Sequence, residues 1–109
     1  MNYEVNTIAV FEKQAKRLIK KYGSLKFELS ELIQELRENP EIGTPLGKNC
    51  YKIRISVAAK GKGKRGGARI ITNFVVTHKT VYLLSLYDKS EQGNITDKEL
   101  VELLRFIPA

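Results

Sequence analysis

The chain has 109 residues, of which 42% are hydrophobic and 28% charged, a composition typical of one folded domain and not of a disordered segment. It carries 19 basic and 12 acidic side chains, which give a net charge of +7. No apolar run approaches the roughly 20 residues that span a bilayer, and the first residues lack the order of a secretion signal. We therefore expect a cytoplasmic protein that does not contact membranes.

The first half of the chain is dominated by helical periodicity. Residues 3–10 are consistent with a short first strand, and apolar residues then recur at helical spacing from Phe11 to Tyr22 and from Leu25 to Leu36. Gly23 separates the two runs, and Ser24 stands where it would cap the second helix. The pattern predicts a helical hairpin, followed by turn-forming composition in EIGTPLGKN, residues 41–49.

The second half changes to a period of two, which is typical of strands. YKIRISV alternates strictly, a second strand pattern covers residues 69–76, and VYLLSLY is apolar on both faces. Thr96 and Glu99 have the spacing of a capping box for a final helix. The predicted order is β-α-α-β-β-β-α. This is a single α+β domain over residues 1–109, two-layered, with a small antiparallel sheet packed on the N-terminal helical hairpin and a C-terminal helix.

Positive charge is concentrated in one part of the chain. Residues 48–69 hold eight of the 19 basic side chains and none of the 12 acidic ones. Their most basic stretch is AAKGKGKRGGAR, which lies between two predicted strands and fits a solvated hairpin loop, a docking arm for an acidic partner or a clamp for nucleic-acid phosphates. Because dispersed charge would serve solubility equally well, this concentration favours a polyanionic partner.

The strand alternation predicts a cationic surface on the sheet. It places Val81, Leu83, Ser85 and Tyr87 on one side of the last strand, together with Lys89 if that strand continues. If the registers agree, five side chains share the sheet face away from the helical hairpin, namely Lys52, Arg54, Arg69, Tyr87 and Lys89. Arginine grips a phosphate in a bidentate fork, and a tyrosine either stacks on a base or exchanges a proton. Alternatively, Tyr87 and Lys89 simply close the strand.

Several familiar kinds of site are excluded by composition. His78 is the only histidine, which rules out a paired-histidine ribonuclease, and Cys50 is the only cysteine, so no Cys/His cluster can hold zinc. No glycine-rich phosphate motif opens a helix after a strand. The remaining candidates are Arg, Lys and Tyr, which bind phosphate well but are poor general bases at neutral pH. We therefore expect weak activity on free RNA and stronger activity where a larger assembly positions the substrate.

Four stretches, taken in order, resemble the RelE/ParE superfamily of toxins from type II toxin–antitoxin modules, closest to the HigB-like branch. They are FEKQAKRLIKKYG, GTPLGKNCYKIRI, GKGKRGGARII and LYDKSEQGNITDKELVELL. The resemblance implies an mRNA interferase, a ribosome-dependent endoribonuclease that inhibits translation and needs no metal or other cofactor. In this reaction the 2′-hydroxyl of the RNA attacks the adjacent phosphate. It also implies a cognate antitoxin that blocks the site or displaces a mobile helix, within a toxin–antitoxin hetero-oligomer.

The resemblance also assigns roles to individual residues. Arg54 and Arg69 match the family's strand-borne arginines, which orient and stabilise the scissile phosphate. Tyr87 and Lys89 match the motif that takes part in proton transfer, with Tyr87 as the general base. Contact with RNA or the ribosome is assigned to Lys48, Lys52, Lys60, Lys62, Lys64 and Arg65. Two alternatives stay open: a ParE-like inhibitor of DNA gyrase on the same scaffold, and a non-catalytic nucleic-acid-binding module.

Overall fold

The computed structural model describes residues 2–61, 63 and 66–108, and within them three helices pack on a mixed sheet of five strands. The elements are β1 Glu4–Thr7, α1 Ala9–Lys21, α2 Leu25–Glu38, β2 Thr44–Gly47, β3 Cys50–Ile55, β4 Ala68–Val75, β5 Thr80–Asp88 and α3 Asp97–Leu104. The strand order across the sheet is β1-β5-β4-β3-β2. The α+β class is thus confirmed. None of the helices in the described ranges is both long and apolar enough to cross a membrane.

The predicted antiparallel run of three strands is present as β3, β4 and β5. Two features of the sheet were not predicted. β1 pairs with β5 in parallel, which makes the sheet mixed. The segment 41–49, expected to be only turn, contains β2, which pairs with β3 through a two-residue turn at Lys48 and Asn49. Both turn residues have positive φ, at 55° and 59°, as tight hairpin turns of the primed types require at one or both central positions.

A β-bulge changes which side chains of β5 share a face. Ile71 pairs with Ser85, but the next residue, Thr72, pairs with Leu83, so Leu84 is extra on its strand. Directly opposed residues share a face, and Thr72 lies on the opposite face from Ile71. The expectation that Val81, Leu83, Ser85 and Tyr87 share one side is therefore wrong. Ser85 and Tyr87 lie on one face, and Leu83 lies on the other.

The helical hairpin packs on one face of the sheet and forms the main core with it. The row Ile53, Ile70 and Leu86, opposed across β3, β4 and β5, is buried on this face. From the helices, the predicted apolar stripes supply the other half of the core. Their buried members are Phe11, Ala15, Leu18, Leu25, Leu29, Leu32 and Leu36.

The start of α2 has a different role from the one predicted. Ser24 precedes α2 as expected, but its side chain makes no capping hydrogen bond. Instead its hydroxyl accepts a hydrogen bond from the backbone N–H of Ala59 at 2.9 Å, and the Glu28 carboxylate accepts one from Ala58 at 2.8 Å. These bonds fix the first turn of what we call the basic loop, residues 58–67. The predicted capping box of α3, Thr96 with Glu99, is confirmed.

The basic loop is also tied to the end of β5 by a buried ion pair. The ammonium of Lys60 contacts the carboxylate of Asp88, and the two side chains are 6% and 1% exposed. The same carboxylate accepts hydrogen bonds from the Tyr22 hydroxyl at 2.7 Å and from the Ser90 backbone N–H and hydroxyl at 2.9 and 2.7 Å. Every donor to Asp88 named here comes from a different part of the fold or from the turn that follows it, so the carboxylate joins α1, the basic loop and β5.

We expect Gly67→Ala to destabilise the fold at the end of the basic loop. A Cβ on Gly67 would lie 2.0 Å from the carbonyl oxygen of Ile55, and backbone cannot give way cheaply. Overpacking of this kind costs about 1–3 kcal/mol. Urea unfolding of the variant should show that loss, whereas Gly93→Ala should leave stability nearly unchanged because nothing lies within 4 Å of its added Cβ. Equal stability of the two variants would contradict the close approach.

Acid is expected to weaken the fold through Asp88. Burial acts to raise the pKa of this carboxyl, but the hydrogen bonds from Lys60, Ser90 and Tyr22 outweigh burial and hold the pKa well below its ordinary value of 3.8. A carboxyl with a lowered folded-state pKa adds stability that is complete above its unfolded value and is lost as the pH falls below it.

The free energy of unfolding should therefore drop between about pH 5 and pH 2. Urea titrations across this range provide the measurement. The double variant Lys60→Met with Asp88→Asn should lose part of the slope, because neither charge of the pair remains. A slope that is identical in the double variant would show that Asp88 contributes nothing to it.

Candidate functional site

Three of the predicted site residues form one row across three strands. Arg54 of β3 is directly opposed to Arg69 of β4, which is directly opposed to Tyr87 of β5. Side chains opposed in this way have Cβ atoms about 4.5–5.5 Å apart. Lys52 lies two residues along β3, opposite Ile71 of the same face. The structure thus brings Lys52, Arg54, Arg69 and Tyr87 together on one face, which we call the site face.

The site face is opposite the helical hairpin. The intervening residues of the strands, Ile53, Ile70 and Leu86, point to the hairpin side. Asp88, the neighbour of Tyr87, also lies on that side, where it accepts the hydrogen bond from Tyr22 of the helical region. The sheet therefore separates the Asp88 carboxylate from the row of two arginines and a tyrosine.

The two arginines differ in exposure and repel each other. Arg54 is exposed, whereas Arg69 is only 4% exposed, and Nη1 of Arg69 donates a hydrogen bond to the carbonyl of Ala68 at 3.1 Å. Burial, followed by the charge of Arg54, lowers the pKa of Arg69, while Tyr87 acts in the opposite direction. Like charges directly opposed across strands are destabilising. An anion bound between them would relieve that repulsion, so the pair is suited to a phosphate.

Tyr87 is buried together with its hydroxyl group. The residue is 4% exposed, and within the described part of the chain its hydroxyl has no hydrogen-bond partner. Burial raises the pKa of Tyr87, Arg69 opposes the shift and Glu99 adds to it. A ring this buried cannot stack on a base in this conformation, which corrects one of the sequence expectations. A neutral phenol is a proton donor and a poor base.

The C-terminal helix lies beside the β5 end of the site face. Glu99 of α3 adds to the raised pKa of Tyr87, and a groove between α1 and α3 is lined by Ser85 of the site face together with Glu99 and Leu103. Leu100 is the buried anchor of this helix. The site face is thus buried at Tyr87 and exposed at Arg54.

Two predicted basic residues lie at the ends of the strands. Lys48 is exposed in the β2–β3 turn, six residues from Arg54 and so about 20 Å away along the strand. Lys89 is half-buried just after β5. Its ammonium donates to the carbonyl of Gly93 at 2.9 Å, and its backbone N–H donates to Gly67 at 3.1 Å. These contacts match the alternative interpretation, in which Lys89 closes the strand.

The assignment of Lys60 to RNA or ribosome contact needs correction. Its ammonium is buried against Asp88 on the hairpin side of the sheet, and it lies 5.5 Å from the centre of the Tyr22 ring. A lysine paired in this way is part of the fold and presents no free charge to a phosphate. The other basic-loop residues with this assignment, Lys62, Lys64 and Arg65, lie outside the described residues.

Two carboxylates near the site were missed by sequence reasoning. Asp88 directly follows Tyr87 in the sequence, but nothing local indicates that its partner is Lys60, 28 residues earlier. Glu99 was identified only as the second member of the capping box, a role that it does have. Its proximity to Tyr87 depends on where α3 docks, which the helical pattern does not specify.

Comparison with known proteins identifies the family. The family model of the RelE toxin of the RelE/RelB toxin–antitoxin system matches residues 8–107. The structure is similar to that of a mutant of the E. coli toxin RelE in the free state, with 20% sequence identity and a TM-score of 0.61 over 99% of this chain and 100% of that one. It is also similar to the RelBE2 toxin–antitoxin complex from Mycobacterium tuberculosis, at 20% identity and a TM-score of 0.57 over 81% and 92% of the chains.

A third similar structure is a metal-bound toxin from Helicobacter pylori, with 19% identity and a TM-score of 0.53 over 82% of this chain and 97% of that one. At these identities the structural matches show a shared fold, and the family assignment comes from the family model. Because that model spans nearly the whole sequence, the protein belongs to the RelE toxin family of toxin–antitoxin systems.

Proposed function

We propose that this chain is a toxin that cleaves mRNA on the ribosome and so inhibits translation. The observation that carries the proposal is the row Arg54, Arg69 and Tyr87 on one face of the sheet. Two guanidinium groups and a neutral hydroxyl suit a phosphodiester whose charge increases in the transition state. The concentration of positive charge in residues 48–69 supports an RNA partner.

The proposed reaction is an attack of the RNA's own 2′-hydroxyl oxygen on the adjacent phosphorus. The bond from phosphorus to the 5′ oxygen breaks, which leaves a 2′,3′-cyclic phosphate and a 5′-hydroxyl. Arg54 and Arg69 bind the non-bridging oxygens. Tyr87 donates its proton to the leaving 5′ oxygen, because a phenol with a raised pKa is a donor and not a base. The sequence analysis assigned Tyr87 as the general base, and the proposal changes that role to general acid.

The proposed dependence on the ribosome follows from the group that the row lacks. Lys52, Arg54, Arg69 and Tyr87 include neither a histidine nor a carboxylate that would accept the 2′-hydroxyl proton, and Glu99 of α3 is engaged in the capping box with Thr96. In this proposal the proton passes to solvent or to a group of the ribosome, which also orients the messenger. Catalysis on free RNA should accordingly be slow, and the reaction requires no metal ion.

A cognate antitoxin is the proposed protein partner. The similar RelBE2 structure is a toxin–antitoxin complex, which supports the same kind of assembly here. α3 is the element by which an antitoxin could control the site, because it lies beside Tyr87 and, among its described residues, only Leu100 is buried. In the conformation described here a phosphate reaches Arg54 first, and it reaches Tyr87 only after α3 moves.

Removal of either arginine should greatly slow cleavage and affect binding much less. We expect Arg54→Ala and Arg69→Ala to lower single-turnover cleavage of ribosome-bound mRNA by about 100-fold or more, the usual effect of losing one charged transition-state contact. Primer extension detects the cuts, and pelleting with ribosomes measures binding, which should weaken by less than about tenfold. The exposed Arg105→Ala serves as a matched control and should behave like the parent.

A different outcome would identify the alternative functions. Growth inhibition and cleavage that survive Arg69→Ala would contradict the catalytic assignment. If the parent makes no cuts and instead blocks DNA supercoiling, the protein is a gyrase inhibitor. Binding that falls equally with each lost charge and steeply with salt, with no cuts at all, would indicate a non-catalytic nucleic-acid-binding module.

Tyr87→Phe should separate activity from stability. Because the hydroxyl is buried without a partner in the described part of the chain, its removal should leave the melting temperature unchanged or raise it. Cleavage should fall by about 100-fold, within the usual range for a general acid. Thermal unfolding and primer extension on the same preparation are the two measurements. Full activity in Tyr87→Phe would show that the hydroxyl takes no part in the reaction.

A further inference from the structure

We infer that Lys60, Asp88 and Tyr22 form a latch on the hairpin side of the sheet that positions Arg69 and Tyr87 on the site face. The inference rests on the proposed function for its chemistry. The latch residues touch no substrate in this scheme, so they are positioning residues and not catalytic ones. Three observations support this role: the position of Asp88 beside Tyr87 in β5, the hydrogen bonds that both oxygens of Asp88 accept, and the concentration of positive charge on the site face.

The latch attaches directly beside the two residues that it positions. Asp88 follows Tyr87 in β5, and in the register of the sheet Asp88 is opposed to Ala68, which precedes Arg69 in β4. Contacts that fix the Asp88 side chain therefore also restrain the backbone at Tyr87 and Arg69, and they do so from the opposite face of the sheet. The ammonium of Lys60 also lies 3.5 Å from the carbonyl of Gly67, so the latch includes both ends of the basic loop.

Every oxygen of the Asp88 carboxylate is in use. One oxygen receives the ammonium of Lys60 and both donors of Ser90, and the other receives the hydroxyl of Tyr22 at 2.7 Å. A buried ion pair is weak evidence for stability, because an apolar pair of similar volume often stabilises as well. The ion pair differs from an apolar pair in that its hydrogen bonds are directional. These bonds fix the position of the end of β5 and of the basic loop relative to α1.

The charge distribution explains why such a hold is needed at this point. Arg54 and Arg69 repel each other across the strands, and residues 48–69 contain no acidic side chain to offset them. Asp88 lies on the other face, so it anchors the strand ends through Lys60 and Tyr22 without placing its own charge beside the arginines.

The test uses three variants of the full chain. Tyr22→Phe removes one hydrogen bond of the latch. The double variant Lys60→Met with Asp88→Asn removes both charges. Because neither charge is left buried without its partner, the variant should still fold. Lys26→Met is the control, because it removes an exposed lysine of α2 that lies outside the latch and the site. Circular dichroism confirms that each variant is folded at the assay temperature.

Two measurements are made on each variant. In single-turnover cleavage of ribosome-bound mRNA, the double variant should lose at least tenfold in rate constant with a half-saturating concentration within threefold of the parent's, and Tyr22→Phe should show a smaller loss of the same kind. In limited proteolysis, trypsin should cut after residues 62, 64 and 65 about tenfold faster in the double variant. The control should match the parent in both measurements.

The inference is overturned if the folded double variant matches the parent in both rates, if it loses cleavage without faster proteolysis, or if only its half-saturating concentration rises. The last result would mean that these residues contribute to ribosome binding and not to positioning. If the parent itself makes no cuts, the proposed function fails. The proteolysis result then decides by itself whether the latch holds the basic loop.

Discussion

The register of β3, β4 and β5 is the constraint on which the site depends. It opposes Arg54 to Arg69 and Arg69 to Tyr87, and a slip by one residue in any of the three strands would turn one of these side chains into the core. The same register places Ile53, Ile70 and Leu86 against the helical hairpin. The burial energy of the core therefore favours the geometry of the site, because a one-residue slip that turned the arginines away from the site face would also expose an isoleucine of the core.

The two faces of the sheet have opposite electrostatic characters. On the site face, like charges are placed side by side, and the buried hydroxyl of Tyr87 has no hydrogen-bond partner among the residues that the structure describes; both arrangements cost stability. On the hairpin side, Asp88 has its charge neutralised by Lys60 and its oxygens bonded to Tyr22 and Ser90. The sheet thus separates two opposed arginines from a fully bonded carboxylate that lies one residue away along β5. The proposed anion site relies on this separation.

Periodicity was sufficient to predict the three helices and four of the five described strands, but not all of their contacts. The helices follow from the spacing of leucines such as Leu29, Leu32 and Leu36, and the RelE family is indicated by the ordered stretches of sequence. β2 was missed because Pro45 and Gly47 are typical of turns, and the bulge at Leu84 has no local signature. The partner of Lys60 and the burial of Tyr87 depend on tertiary packing, which no window of sequence contains. The HigB-like branch stays a prediction.

The orphan hydroxyl of Tyr87 has a consequence for how such a protein diverges. A tyrosine codon becomes a phenylalanine codon through a single base change, and here the fold would offer no resistance to it, since the lost oxygen satisfies nothing in the described structure. Selection for a stable fold alone would therefore allow phenylalanine to replace tyrosine at this position. On the mechanism proposed above, a descendant with phenylalanine would still fold but would no longer cleave its target. Persistence of the phenol in a lineage would then record selection on poisoning itself.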